Sequence, residues 1–223
     1  MSMPETGTRA VERALTLLAA VAEKGGTLSE LARTAALSPS TASRLLATLA
    51  GQELVRRDEH GRYHPGTRLR QLSAVTLRSD PVYELAGPHL VALARETGET
   101  ANLAVAADGK RAVYLRQVAS PKLVQTASWA GRTIPRRGTA LGAALRGAVG
   151  PAGYVARAGA VEPDVTSIAA PVYGAGGEIV GAMSVLAPNY RTSSGRIDAC
   201  GRAVALHAGE LSRSLGAPVA VAA

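Results

Sequence analysis

The chain contains a single cysteine, Cys200. One thiol excludes an internal disulfide framework and any multi-cysteine metal site. Its place in an expected C-terminal helix suits a buried, inert thiol rather than a redox sensor. HExxH, GxxxxGK(S/T), GxSxG and the Rossmann glycine fingerprint are all missing. The four histidines, His60, His64, His89 and His207, are scattered along the chain. No catalytic residue, cofactor or metal site is therefore expected, and an enzyme is not the expected class. No apolar run approaches the length of a membrane span, and the N-terminus has no signal-peptide core. The expected location is the cytoplasm, with no membrane partner.

What is present is ordinary globular material: 223 residues, 47% hydrophobic and 19% charged, with room for two small domains. Net charge is +8, which points to an anionic partner. The distribution weakens that argument. Residues 1–65 carry eight basic and seven acidic side chains, 66–78 add three arginines, and 79–223 hold 14 basic and 10 acidic. Pattern, rather than charge, has to carry the functional reading.

The stretch Ser38–Gly51, S-P-S-T-A-S-R-L-L-A-T-L-A-G, predicts a helix. Ser38 can cap it, Pro39 suits the first position, and Gly51 can stop it. At roughly 100° per residue, Ala42, Leu45, Leu46 and Leu49 form one narrow apolar stripe. Ser40, Thr41, Ser43, Arg44, Ala47 and Thr48 occupy the other face. Short side chains, hydroxyls and one arginine suit a helix that enters a major groove, where Arg can bond a guanine bidentately. A plain surface helix has the same pattern, so its neighbours decide.

Upstream, residues 9–24 follow helical spacing through Val11, Ala14, Leu15, Leu18, Val21 and Ala22, with Leu17 widening the stripe. Gly25-Gly26 ends that helix. Thr27-Leu28-Ser29-Glu30 is a capping box for a short helix with Leu28, Leu31, Ala32 and Ala35 inside. Ala36-Leu37-Ser38 joins it to the 38–51 helix, making a helix-turn-helix. Downstream, 54–57 and 62–64 flank Asp58-Glu59-His60-Gly61 as a hairpin. A hairpin there reads as a wing, whose Arg56, Arg57 and Arg62 would lie along phosphates. Asp58 and Glu59 at the tip oppose deep insertion.

Pro65-Gly66 marks a boundary. Thr67–Arg78 predicts a linker helix with Leu69, Leu72 and Val75 on one side, suited to dimerisation. Asp80-Pro81 opens another helix, with Val82, Leu85, Ala86, Leu90, Leu93 and Ala94 inward and a kink or break at Gly87-Pro88. The period then changes to strands. Residues 101–107 and 113–116 form a hairpin around Asp108-Gly109, and Leu123–Trp129 is expected as a further strand. Arg132–Gly138 is a loop and Thr139–Val149 a helix. A hairpin of 168–173 and 178–186 and a closing helix, 191–215, complete an α+β chain.

Five runs together carry a resemblance: A-V-E-R-A-L-T-L-L at 10–18, L-S-E-L-A-R-T-A-A-L-S-P-S-T-A-S-R-L-L-A-T-L at 28–49, G-T-A-L-G-A-A-L at 138–145, T-S-I-A-A-P-V-Y at 166–173 and G-E-I-V-G-A-M-S-V-L-A-P at 177–188. In this order they resemble the IclR family of bacterial transcriptional regulators over nearly the whole chain. The resemblance implies a winged helix-turn-helix at 8–66, a linker helix at 67–79 and a GAF-like effector-binding domain at 80–223. It implies dimers, or dimers of dimers, on a palindromic double-stranded operator, with repression relieved or altered by a small-molecule effector. Family members that bind small carboxylates use backbone N–H groups that map to Ala140 and Leu141. Their acidic residue maps to Arg157, a Cys-like residue to Ser167, and two serines to Ser184 and Leu186. The exchanges at 157 and 186 depart from that pattern, and Leu145 runs to Gly153-Tyr154 almost at once where the family has more helix. Arg136, Arg137 and Arg157 could bond an anionic effector or be plain solvated surface. Trp129 and Tyr173 could line the pocket or pack in the core. The shortened wall motivates an alternative: a sensor domain kept only for oligomerisation.

Overall fold

The computed structural model describes residues 5–218, so the last five residues of the expected 80–223 segment lie outside the described part. The chain divides into two compact units, Met1–Ser79 and Asp80–Ala223.

The first unit runs α1 (Glu5–Lys24), β1 (Gly26–Thr27), α2 (Leu28–Thr34), α3 (Pro39–Gly51), β2 (Val55–Arg57), β3 (Arg62–Pro65) and α4 (Thr67–Arg78). The three strands form an antiparallel sheet in the order β1-β3-β2. One core joins the helices to this sheet: Leu17 and Val21, Leu31 and Ala32, Ala42, Leu46 and Leu49, with Val55 and Tyr63 from the wing. Each fully buried Leu or Val here contributes roughly 1.5–3 kcal/mol.

The inner stripe of α1 differs from the expected one. Leu17 and Val21 are fully buried, whereas Val11 and Leu15 stand 58% exposed. A run of leucines satisfies helical spacing at more than one angle, and packing against α3 selects the Leu17 side. In α4, no residue is buried, and Leu72 and Val75 are more than half exposed.

The second unit runs α5 (Pro81–Thr97), β4 (Thr100–Ala106), β5 (Arg111–Val118), β6 (Thr133–Pro135), α6 (Ala140–Ala144), β7 (Val155–Ala158), β8 (Val165–Tyr173), β9 (Ile179–Pro188), a 3-10 turn (Asn189–Arg191) and α7 (Ser194–Ser214). Six antiparallel strands are ordered β6-β5-β4-β9-β8-β7. Alternation along the strands builds two cores. Leu103, Ile168, Met183 and Val185 pack with α5 and α7. Ala104, Tyr114, Ala169 and Ala182 pack on the other face with α6. Cys200 is buried on α7 with its thiol pushed up by that burial.

Several local expectations are corrected. Helix α5 is continuous through Gly87-Pro88. Pro88 supplies no N–H, which leaves the Glu84 carbonyl without its helical donor; Arg116 lies across the same turn, donating to the neighbouring Tyr83 carbonyl at 3.1 Å and stacking on the Tyr83 ring. Glycine at 87 makes room, since a Cβ would meet that guanidinium at 2.8 Å. Residues 123–129 are not a strand; the edge of β5 is taken instead by β6, from the segment expected as loop. Helix α6 ends at Ala144 rather than Val149, because Gly147 turns the chain at φ +69°. Strand β7, at 155–158, was not anticipated, and Leu85, expected inside α5, is 41% exposed.

Candidate nucleic-acid interface and effector pocket

In the first unit, the turn between α2 and α3 is built by local hydrogen bonds. Thr27 Oγ1 accepts from Glu30 N–H, and Glu30 Oε2 accepts from Thr27 N–H at 2.8 Å, the reciprocal capping box. Those bonds, the Thr27 N–H first, hold the Glu30 carboxyl below its ordinary value. The end of α2 closes with Leu37 N–H donating to Ala32 O at 2.8 Å, and Ala36 takes a left-handed φ of 53°. Ser38 then caps α3. Its Oγ accepts from Thr41 N–H at 3.3 Å, donates to Thr41 Oγ1 at 2.9 Å and lies 3.1 Å from Ser40 Oγ.

This cap orients the helix face. Ala42, Leu46 and Leu49 are buried, while Ser40, Ser43, Arg44 and Thr48 are exposed and Thr41 is half-buried. The Arg44 guanidinium has no partner among the described residues. The Thr48 hydroxyl donates to Arg44 O at 3.1 Å, so toward an outside group it keeps only acceptor capacity.

The wing is tied to the helices. Strand β1 pairs with β3 through Thr27 opposite Arg62, and Arg62 Nη1 lies 3.6 Å from Glu30 Oε2. Arg57 donates to Gly61 O at 3.3 Å and stacks over Tyr63. Of the three wing arginines, Arg56 alone has a guanidinium without a partner among the described residues. Asp58 does not project from the tip. It accepts from the N–H groups of Arg62 and His60 and sits 2.6 Å from His64 Nε2, and these bonds, Arg62 first, depress its carboxyl. One of the two acidic charges counted against the wing is thus engaged inside the hairpin.

In the second unit, a small pocket opens beside α6. Ala140, Leu141, Arg157, Ser167 and Leu186 line it, so the structure gathers five of the six residues expected to meet an effector. Ser184 is the exception: it is fully buried two residues before Leu186 on β9 and does not line the pocket. Its Oγ and the Oδ1 of Asn102, directly opposite on β4, are buried without hydrogen-bond partners. Thr139 caps α6 by accepting from Gly142 N–H at 3.0 Å, which leaves the N–H groups of Ala140 and Leu141 without acceptors among the described residues.

Tyr114, Ile134 and Glu162 also line the pocket, and sequence reading missed them. Tyr114 sits on a strand the sequence predicts at 113–116, with no face assigned to it; nothing in the sequence flagged Glu162, which lies in a turn. Trp129 is a wall residue and Tyr173 is not. Trp129 N–H donates to Gln117 Oε1 at 2.8 Å, and Arg132 stacks on the indole. Arg136 is spent structurally, donating to Asp108 O and Leu145 O, and does not line the pocket. The cavity measures about 30 Å³, space for a water or two.

A capped helix-turn-helix with a wing defines a double-stranded DNA-binding module, and here it is joined in one chain to an antiparallel-sheet unit with a small pocket. The IclR helix-turn-helix domain matches residues 10–59, and the bacterial transcriptional regulator IclR C-terminal domain matches residues 74–152. The second match stops in the connection between α6 and β7. The chain is 29% identical over 243 aligned positions to the HTH-type transcriptional regulator BhcR of Paracoccus denitrificans, covering 92% of this chain and 87% of that protein. It is 33% identical over 147 positions to the transcriptional repressor IclR of Escherichia coli K12, covering 64% of this chain and about half, 54%, of that one. An IclR homolog from Microbacterium hydrocarbonoxydans, crystallised with 4-hydroxybenzoate, shares the fold with a TM-score of 0.73 at 22% identity, over 92% of this chain and 99% of that one. The chain belongs to the IclR family. It is a DNA-binding transcriptional regulator and not an enzyme.

Proposed function

We propose that this regulator is a cytoplasmic repressor that reads a palindromic operator as a dimer or dimer of dimers. Its units of function are a winged helix-turn-helix at 8–66, a linker helix at 67–79 and an effector domain at 80–223. The observation that carries the reading is the capped face of α3, where Ser40, Ser43 and Arg44 are exposed. With Thr41 they face the base edges, Arg44 as the guanine reader. Thr48 serves only as an acceptor there. Arg56 meets phosphate directly, while Arg57 and Arg62 must first leave their partners in the wing. Self-association is supported by Val11 and Leu15 on α1 and Leu72 and Val75 on α4, apolar side chains that the single chain leaves exposed. Repression is the role named for the E. coli relative. The test is gel-shift binding to DNA upstream of its own gene and its neighbours, at two salt concentrations. Wild type is expected to select one fragment in a salt-sensitive way. Arg44→Ala is expected to lose roughly 1–3 kcal/mol and to discriminate less between operator and mutated sites. Unchanged discrimination removes Arg44 from the reading role.

The effector is a small anion, held by the free N–H groups of Ala140 and Leu141, by Arg157 and by Ser167. Drug-sized ligands occupy roughly 300 Å³ or more, so binding must displace wall residues, Trp129 among them. Trp129 is the sole tryptophan of the chain, and its fluorescence reports that displacement. A titration with small aromatic and aliphatic carboxylates, 4-hydroxybenzoate included, is expected to give a saturable change that Arg157→Ala weakens. If no carboxylate binds while the oligomer stays intact, the second unit serves assembly alone.

A further inference from the structure

On the face of the sheet opposite the pocket, α5 and α7 pack together through Leu90, Leu93, Val204 and Leu211. At the edge of that contact two of the scattered histidines meet. His207 and Glu210 lie three residues apart on α7, hence on one side of the helix, and His89 of α5 faces them. Glu210 Oε2 is 3.6 Å from His89 Nδ1 and 3.5 Å from His207 Nδ1. One donor atom from each of the three residues lies within 4.8 Å of the others. The imidazoles stand edge to face, centroids 6.1 Å apart.

We propose that His89, His207 and Glu210 form a zinc-type metal site that clasps α5 to α7. The second nitrogen of His207 is the decisive group. Its Nε2 lies 3.2 Å from Glu96 Oε2, so the proton belongs on that side. This is the carboxylate–imidazole arrangement that orients metal-ligating histidines. His207 is only 8% exposed, and its Nδ1 is buried with no hydrogen-bond partner. The Nδ1 lone pair therefore confronts a carboxylate oxygen, acceptor against acceptor, in a buried setting where such a mismatch is costly. Either a second proton on the ring or a metal cation between them resolves it, and the third donor, His89, favours the metal.

The donor set selects the ion. Two imidazoles and one carboxylate are a known zinc set, with metal–ligand distances of roughly 2.0–2.2 Å. Donors in a tetrahedral shell then sit about 3.3 Å apart, so the observed 3.5 and 3.6 Å to Glu210 require little closing, and the two imidazoles, whose donor atoms lie within 4.8 Å, swing together to complete the set. Glu210 is 38% and His89 20% exposed at the side chain, so water reaches the fourth position. All three ligands come from long helices rather than from loops. Sequence reading expected no metal here. The His-x-x-Glu spacing on α7 was legible, but the ligand 118 positions away on α5 was not.

The test uses the full chain, stripped with a chelator and titrated with Zn²⁺ against a chromogenic competitor. Uptake of one Zn²⁺ per chain with a rise in melting temperature is expected. Co²⁺ in its place should give the intense visible bands of a tetrahedral centre. His89→Ala and Glu210→Gln alter partly exposed groups, and circular dichroism can verify that each variant folds. Both are expected to abolish the stoichiometric uptake and the cobalt bands. Glu96→Gln, which touches no ligand atom of the ion, is expected to keep the site but weaken it roughly 10–100-fold. The proposal is overturned if wild type takes up no Zn²⁺, or if uptake survives in both ligand variants. Unchanged affinity in Glu96→Gln overturns the orienting role of that carboxylate.

Discussion

Gly142→Ala is expected to cost the second unit roughly 3 kcal/mol or more, although alanine is the better helix former by about 1 kcal/mol. The reversal of sign comes from one contact. A Cβ at 142 would overlap the Arg136 carbonyl and lie 2.6 Å from the Arg136 Cα. That obstacle is backbone and cannot rotate aside. It is also pinned: Arg136 N–H donates to Lys110 O at 2.8 Å, its guanidinium to Leu145 O, and Thr139 Oγ1 to Pro135 O. Accommodating one methyl means moving α6 off the sheet or tearing β6 from β5, and either distorts the pocket. Urea unfolding followed by Trp129 fluorescence measures the loss. Gly195→Ala is the control, because a Cβ at that α7 position meets nothing within 4 Å; it should be neutral or mildly stabilising. Equal midpoints for wild type and Gly142→Ala would refute the argument.

Glu99→Ala is expected to lose about 3 kcal/mol, near the lower end for breaking a buried pair because its partners reach solvent. Glu99 is 1% exposed and receives Arg191 in a two-point bond, at 2.8 and 3.1 Å, and Lys122 at 2.8 Å. Removing it strands two cations. Lys122 lies in the irregular segment between β5 and β6 that also carries Trp129, and Arg191 donates to Val124 O in the same segment. The variant therefore loosens one wall of the pocket as well. Over roughly 140 residues such a loss lowers the melting temperature by about 6–12 °C. Burial alone would raise the Glu99 carboxyl, but the bonds from Arg191 and Lys122 outweigh it and hold it below the ordinary 4.5. A depressed carboxyl stabilises fully above the unfolded value and loses that contribution as pH falls through the folded one. The gap between wild type and Glu99→Ala should accordingly be constant from pH 8 to 6 and narrow below about pH 4.5. A gap that widens in acid, or a change in melting temperature below 2 °C, would contradict this account.

Much of the first unit was legible because its signals are local. Thr27 and Glu30 cap at fixed spacing, Pro39 follows Ser38, and α3 carries a single stripe. The wing followed from Gly61 and its flanking arginines. The second unit was legible where hairpins are tight, as at Asp108-Gly109, and illegible where pairing is remote. Residues 123–129 alternate like a strand, yet Leu123 is 99% exposed and no strand edge is offered to them. Thr133–Pro135 has too few residues to show a period but finds the β5 edge. The pocket residues were located through the resemblance rather than through chemistry. Ser184 shows the limit of that route, since a matching position does not guarantee that the side chain reaches the cavity. The engagement of Arg57, Arg62 and Arg136 with their own fold could not be read from residue type at all.

Glu30 holds the α2 cap and also neighbours Arg62 of the wing, while β1, the two residues ahead of α2, is one rail of the wing sheet. The helix proposed to read the groove and the hairpin proposed to grip the backbone are thereby parts of one stiff body, assembled before any duplex arrives. A stiff reader shifts the cost of fitting onto the DNA. Operators should then be chosen partly by how readily they bend or narrow at steps the protein never touches, and altering such steps would weaken binding with every direct contact left in place.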